Sequence, residues 1–178
     1  SNLTHAWIGT EPVRATTLQN FAEAFAPAGF QLNGIQAAFG LAESALLVTA
    51  MQSPEVAGVR YVDRNALGRN QVIDVAADDA DAVAIVGCGA ELDGMRVLIV
   101  DPETRLPCCA DEVGEIWASG PSVGVGYWGR PEETEHAFNA YVADTGEGPY
   151  LRSGDLGFFR DGELFVTGRC KDLMTIGG

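Results

Sequence analysis

Hydrophobic positions along the chain fall into two regimes. In the first fifty residues, short apolar runs alternate with one segment of helical period. Ala6-Trp7-Ile8 has strand length and closes on Gly9-Thr10-Glu11-Pro12, where proline suits a turn or a helix start. Leu18, Phe21, Ala22 and Phe25 then recur at three- and four-residue spacing. That period predicts a helix over 16–25, with a threonine near its start as the candidate cap. Pro27-Ala28-Gly29 ends it, and 35–39 predicts the next strand. After the corner Gly40-Leu41-Ala42-Glu43-Ser44, residues 45–51 are apolar enough for a buried strand. Strand, helix, strand is the habit of a layered α/β unit with a crossover helix.

Beyond Ser53 the rhythm changes. Residues 61–84 are acidic and weakly patterned, most polar at Asp78-Asp79-Ala80-Asp81, and read as an insertion or long loop carrying short strands. Strand signals then come at short spacing, at 83–86, 95–100 and 114–119, separated by Gly87-Cys88-Gly89, Asp101-Pro102-Glu103 and Gly120-Pro121-Ser122. PEETEHAFNA, 131–140, predicts one short helix with proline and acids in its first turn. Two apolar runs around Asp161-Gly162 predict a β-hairpin. It carries Asp155 and Arg169 on one rim. The expected fold class is α/β plus β: a partial layered α/β subdomain over 1–53, then a distorted β-barrel-like subdomain over 54–168 that includes the acidic stretch.

Composition narrows the function classes. With 178 residues, 47% hydrophobic and 20% charged, the chain can bury a core. Its formal net charge of -14, from 25 acidic and 11 basic side chains, argues against a nucleic-acid or anionic-membrane partner. A small anionic ligand needs only a local cation or free backbone N–H groups. Cys88, Cys108, Cys109 and Cys170 form no C-x-x-C pair, and His5 and His136 lie far from them, so a zinc site is not expected. Cys108-Cys109 reads as a turn feature, with reduced thiols and a cytoplasmic setting the default. No signal peptide and no apolar run of membrane-spanning length is present in the 178 residues.

Four places carry candidate chemistry, each with two readings. Glu43 stands where an apolar strand ends in glycine, at what reads as a strand-to-helix corner. It is either an acid favoured by a helix dipole or a ligand for Mg²⁺, which binds through one or two carboxylates plus substrate phosphates. Gly9-Thr10-Glu11 is either a structural turn or a place where a flat ring approaches backbone. Asp155 offers a carboxylate to vicinal hydroxyls, and Arg169 a fixed fork for phosphate or sugar oxygens; alternatively the two form a salt bridge across the rim. The glycine-rich run 120–128 lacks a P-loop lysine and reads as a packed turn carrying aromatic core residues.

Taken in order, these segments resemble the adenylate-forming superfamily of acyl and aryl ligases, and more closely the fatty acyl-AMP ligases. GTEPVRATTLQNFAEAFAPAGF resembles the stretch around that family's adenine pocket, and FGLAES its aromatic-Gly-x-(Thr/Ala)-Glu motif. GEIWASGPSVGVGYWGRPEETEHAF, YLRSGDLGFF and FVTGRCKDLMTI resemble its next signature, its Tyr-Arg-Thr-Gly-Asp motif and its Gly-Arg-x-Lys-Asp hinge. The resemblance implies a ligase that uses ATP and Mg²⁺ to activate a fatty or other carboxylic acid as an acyl-adenylate, then passes it to an acyl carrier protein. It implies that Gly9, Thr10 and Glu11 line the adenine, with Phe39, Gly40, Leu41 and Ala42 near the ring and acyl chain. Glu43 would hold Mg²⁺, Asp155 the ribose hydroxyls, and Arg169 the ribose or phosphate. Lys171 would sit at a hinge, making 169–178 a hinge segment. The acidic stretch fits an insertion of that subgroup which disfavours thioester formation with coenzyme A.

Phe39 and Ser153 stand where the family commonly has tyrosine and threonine, and Cys170 occupies a variable position. The family's phosphate loop and C-terminal catalytic lysine have no counterpart in these 178 residues, so the chain alone is expected to show no turnover. The competing expectations are an acyl-CoA ligase, a peptide-synthetase adenylation domain, or a non-catalytic nucleotide-binding relative.

Overall fold

A computed structural model describes residues 4–9, 11–51 and 56–170. Strand β1 (Ala6–Ile8) and strand β2 (Ile35–Leu41) pair in parallel, Ala6 opposite Ile35 and Ile8 opposite Ala37. Helix α1 (Ala15–Phe25) makes the crossover between them, as the alternation predicts. Leu18 on its inner face packs with Phe30, Ile35, Ala37 and Val86. The expected threonine cap is absent. Arg14 is the N-cap, in extended conformation and without a side-chain cap bond, and Thr16 and Thr17 lie inside the helix. The extended backbone after Pro12 starts the helix one residue earlier than the apolar period suggests. A 3-10 turn at Ala26–Ala28 ends it.

The corner after β2 also departs from expectation. It is not strand-to-helix. Ala42–Ser44 form a single 3-10 turn that runs directly into strand β3 (Leu46–Ala50), antiparallel to β2. Only four residues separate the two strands, too few for a helix, and the apolar run 46–50 gains its backbone partners from β2. A register shift between Phe39 and Gly40 accompanies this tight return. At Gly40 a side chain is excluded outright: a Cβ would collide with the carbonyl oxygen of Leu46.

Strands β4 (Val59–Asp63) and β5 (Ala82–Val86) form a two-stranded ribbon. The acidic stretch is largely the excursion between them. It opens with the short helix α2 (Arg64–Leu67), capped by Asp63, whose Oδ1 accepts the Ala66 N–H at 2.7 Å. Strand β6 (Ala90–Glu91) returns to β3, so the first sheet has the order β1-β2-β3-β6.

Strands β7 (Arg96–Val100), β8 (Gly114–Ser119), β9 (Leu151–Arg160) and β10 (Glu163–Arg169) make a second, wholly antiparallel sheet in sequence order. The β9–β10 hairpin closes on Asp161-Gly162 with φ of 55° and 80°, the two-residue turn that dipeptide favours. Helix α3 (Pro131–Phe138) bridges β8 to β9. The architecture is thus α/β followed by β, as expected. One core joins the two sheets: Phe39 and Val48 from the first pack with Val97, Ile99, Ile116 and Leu164 from the second. The walls of anything built between the sheets are therefore fixed by shared packing.

The loop 120–128 corrects another expectation. Its aromatic residues are not core: Trp128 is fully exposed, at 101%, Tyr127 is exposed, and the aliphatic Val125 beside them is exposed as well. Backbone and side chains together hold the loop: Val123 packs against the joint core, and the Tyr127 ring meets Phe138 edge-on with centroids 5.1 Å apart. Gly124 N–H donates to Glu43 O at 2.8 Å, and Tyr127 N–H donates to Thr134 Oγ1 at 2.9 Å. Cys109 and Glu112 close a turn, and the four cysteines are free. Among the described residues no helix is long and apolar enough to cross a membrane.

Candidate functional site

A cleft of about 630 Å³ opens where the β2–β3 turn meets the free end of the β9–β10 hairpin. Glu11, Phe39, Gly40, Leu41, Ala42 and Glu43 line one side, and Ser153, Asp155 and Arg169 line the other. Most of the residues singled out in sequence thus converge, although Asp155 lies 112 residues after Glu43 in the chain. Gly9 is not among the lining residues; it packs against the Ala38 carbonyl. Thr10 and Lys171 lie outside the described residues.

On the first wall, Phe39 is buried in the joint core and also lines the cleft. Glu43 projects from the 3-10 turn. Its Oε1 accepts the Tyr127 hydroxyl at 2.6 Å, while its carbonyl accepts the Gly124 N–H. The loop 120–128 therefore grips Glu43 by both side chain and backbone. The bond to Glu43, with some burial, pushes the Tyr127 phenol up to about 12, so Tyr127 remains a donor across the physiological range.

On the second wall, Asp155 and Arg169 sit directly opposite in the β9–β10 register, and Arg169 Nε–H donates to Asp155 Oδ1 at 3.0 Å. The salt-bridge reading of the pair is thus realised. It engages one carboxylate oxygen, and the Arg169 side chain remains 68% exposed, so the guanidinium is also open to the cleft. Burial lifts the Asp155 carboxyl above its ordinary range; Arg169 opposes the rise, and Glu115 and Glu43 add to it. Ser153 Oγ accepts the Asp155 N–H at 3.0 Å, a local turn that aims the carboxylate. Cys88 also lines the cleft, but burial, and then the Glu163 carboxylate, push its thiol up to about 12, which removes it as a nucleophile.

The family model described as AMP-binding enzyme matches residues 1–128. The chain belongs to the AMP-binding enzyme family. Its relatives include a medium-chain-fatty-acid–[acyl-carrier-protein] ligase of Moorena producens, 46% identical over 96% of this chain and 29% of that protein. A long-chain-fatty-acid–AMP ligase of Mycolicibacterium smegmatis is 38% identical over the whole chain and 30% of its own length. Among solved structures, the Legionella pneumophila fatty acyl-adenylate ligase in complex with acyl adenylate and pyrophosphate superposes with a TM-score of 0.90 at 39% identity, over 97% of this chain and 30% of that one. The chain spans under a third of the length of these relatives.

The donor chemistry fits an AMP-binding enzyme. The volume is that of a pocket for a nucleotide-sized ligand. No cluster of three or more His, Cys, Asp or Glu side chains that could hold a metal occurs among the described residues. A lone Glu43 suits Mg²⁺, which retains water and completes its shell from substrate phosphates. Three contributors escaped the sequence reading. Tyr127 carries no local signal, since its partner Glu43 is 84 residues away. Glu115 and Arg152 lie beneath Asp155 as a buried ion pair, Nη2 to Oε2 at 2.7 Å. A glutamate inside the apolar run Gly114–Ser119 was the available clue: it falls in a strand whose neighbours are buried on both faces.

Proposed function

We propose that this chain supplies the adenylate-binding face of an ATP-dependent, acid-activating site. The parent reaction is carboxylic acid plus ATP to acyl-adenylate plus pyrophosphate, with later transfer of the acyl group to a carrier protein. The observation that carries this reading is the convergence of Glu11, the Phe39–Glu43 segment, Asp155 and Arg169 on one cleft. A cleft walled on one side by an aromatic strand end and on the other by a carboxylate and a guanidinium matches the parts of a nucleotide: base, ribose and phosphate.

In this reading Asp155 accepts hydrogen bonds from the ribose hydroxyls through the oxygen that Arg169 leaves free. Arg169 keeps that carboxylate ionised and places positive charge beside the α-phosphate, where charge develops in the displacement. Phe39 and Gly40 shape a flat, dry wall. Glu43, held by Tyr127, would hold Mg²⁺ against the phosphates, and the metal would supply charge neutralisation and orientation of the leaving pyrophosphate. The Moorena relative's name, which specifies an acyl-carrier-protein ligase, supports a fatty acid as substrate and a carrier protein as acceptor.

The test is pyrophosphate release by the intact gene product with ATP, Mg²⁺ and a panel of fatty acids, followed by acceptor competition between holo carrier protein and coenzyme A. Acid-dependent pyrophosphate release and transfer to the carrier protein are expected. Transfer to coenzyme A instead would turn the reading into an acyl-CoA ligase. Absence of acid-dependent release, with AMP still bound, would establish a non-catalytic nucleotide binder.

A further inference from the structure

Asp155 owes its place to groups that do not themselves face the cleft. Glu115 on β8 is buried, its side chain 3% exposed, and it is fully engaged. Its Oε2 accepts from Trp117 Nε1–H at 2.9 Å, from Arg152 Nε–H at 2.9 Å and from Arg152 Nη2 at 2.7 Å. Its Oε1 reaches across to β9 and accepts the Gly154 N–H at 3.1 Å. Gly154 immediately precedes Asp155 and has φ of +72°, a conformation other residues resist. On its other side the Gly154 carbonyl accepts the Cys170 N–H at 2.9 Å, next to Arg169. Gly154 is thus clamped between a buried carboxylate and the strand that carries the partner of Asp155. The β8–β9 register shifts between Glu115 and Trp117, where the ladder opens for this side-chain bond.

We propose that Glu115 is a positioning residue for the ribose end of the site. Its bond to the Gly154 amide sets the direction of the Asp155 carboxylate, and Arg152 holds Glu115 in register for that bond. The inference rests on the reading that Asp155 receives the ribose hydroxyls. An ion pair placed only for stability gains little over apolar residues of similar volume, because burying both charges costs about what their attraction returns. This pair does something apolar residues cannot: it supplies an acceptor to one backbone N–H at the turn into the site.

The experiment compares two double variants of the intact gene product by calorimetric titration with AMP and with 2′,3′-dideoxy-AMP, alongside thermal unfolding. E115Q/R152M removes both charges but keeps a carbonyl acceptor for Gly154. E115M/R152M removes the acceptor as well. Both are expected to fold. E115Q/R152M is expected to keep the wild-type preference for AMP over the dideoxy analogue, and E115M/R152M to lose it by about tenfold, the scale of one hydrogen bond to a charged group. If the two variants discriminate equally, or if E115M/R152M weakens both ligands alike, Glu115 serves stability alone and the proposal is overturned. Asp155→Ala separates the underlying reading: should it leave the preference intact, the ribose assignment itself fails, whatever Glu115 does. Should either double variant fail to fold, Glu115→Gln and Glu115→Leu repeat the comparison: preference kept in the first and lost in the second supports the proposal, and equal discrimination by the two overturns it.

Discussion

The two walls of the cleft are built on opposite plans. The β2–β3 wall is shaped by backbone: a register shift, a 3-10 turn and a glycine with no room for a side chain bring Phe39 to Glu43 into place. Its candidate metal-binding side chain, Glu43, reaches outward and is bonded by Tyr127 of an exposed loop. The β9–β10 wall is shaped by charge: Asp155 and Arg169 face each other over a buried glutamate and arginine. The contrast shows how one site divides its work. On the proposed function, Glu43 would exchange metal and phosphate, which suits an open, adjustable mount, and Asp155 would recognise two neighbouring hydroxyls, which suits a preorganised one.

The largest test of this contrast lies in its two glycines. Gly40→Ala should destabilise the fold by about 3 kcal/mol or more, since backbone has to move to admit the methyl group. Gly154→Ala meets nothing within 4 Å and is strained only through its φ of +72°. It should cost about 1–2 kcal/mol. Urea unfolding of both variants measures the difference, and equal costs would erase the distinction between a wall made by close approach and one made by conformation.

Removing a charge from the second wall comes next. Burial already raises the Asp155 carboxyl, Arg169 restrains that rise, and Glu115 and Glu43 reinforce it. Arg169→Met should therefore raise it further. If, as proposed, the ionised form accepts the ribose hydroxyls, AMP binding falls as pH drops through the Asp155 value, and in the variant that acid limb should move to higher pH. Titrations of AMP from neutral pH downward would show the shift. An unmoved limb would mean that Arg169 does not govern Asp155.

Tyr127→Phe should have the smallest effect. The folded protein holds the phenol up to about 12 against an ordinary 10.0. The sign follows: its stabilisation is whole below pH 10 and is lost as pH rises toward 12. Denaturant unfolding at neutral and at high pH should show the wild type losing more stability than the variant over that interval. Parallel losses would show that the exposed loop adds nothing to the mount of Glu43.

The same contrast explains what was legible in the sequence. The crossover unit, the antiparallel half and the Asp161-Gly162 hairpin follow from local periodicity and turn chemistry. Glu43 and Arg169 were visible because each lies at or just past a strand end, and Asp155 because its charge precedes the apolar run within β9. The turn at Ala42–Ser44 was misjudged as a helix start because Ala-Glu-Ser suits either; the distance to the next strand decides, and that depends on pairing. Val125 and Trp128 look like core residues by type, yet the loop is anchored through Val123, Tyr127 and the Gly124 amide, and these two face solvent. The Glu115–Arg152 contact spans 37 residues and depends on the β8–β9 register, which no local pattern encodes.

The burial of Trp117 gives the molecule an internal optical probe. Three tryptophans are present: Trp7 and Trp128 face solvent, and Trp117 is enclosed with its indole N–H on Glu115. A soluble quencher will extinguish the first two and leave a blue-shifted emission from the third. That remaining light comes from the indole bonded to the carboxylate that accepts the Gly154 N–H before Asp155, so its wavelength and lifetime follow the state of the second wall without any label.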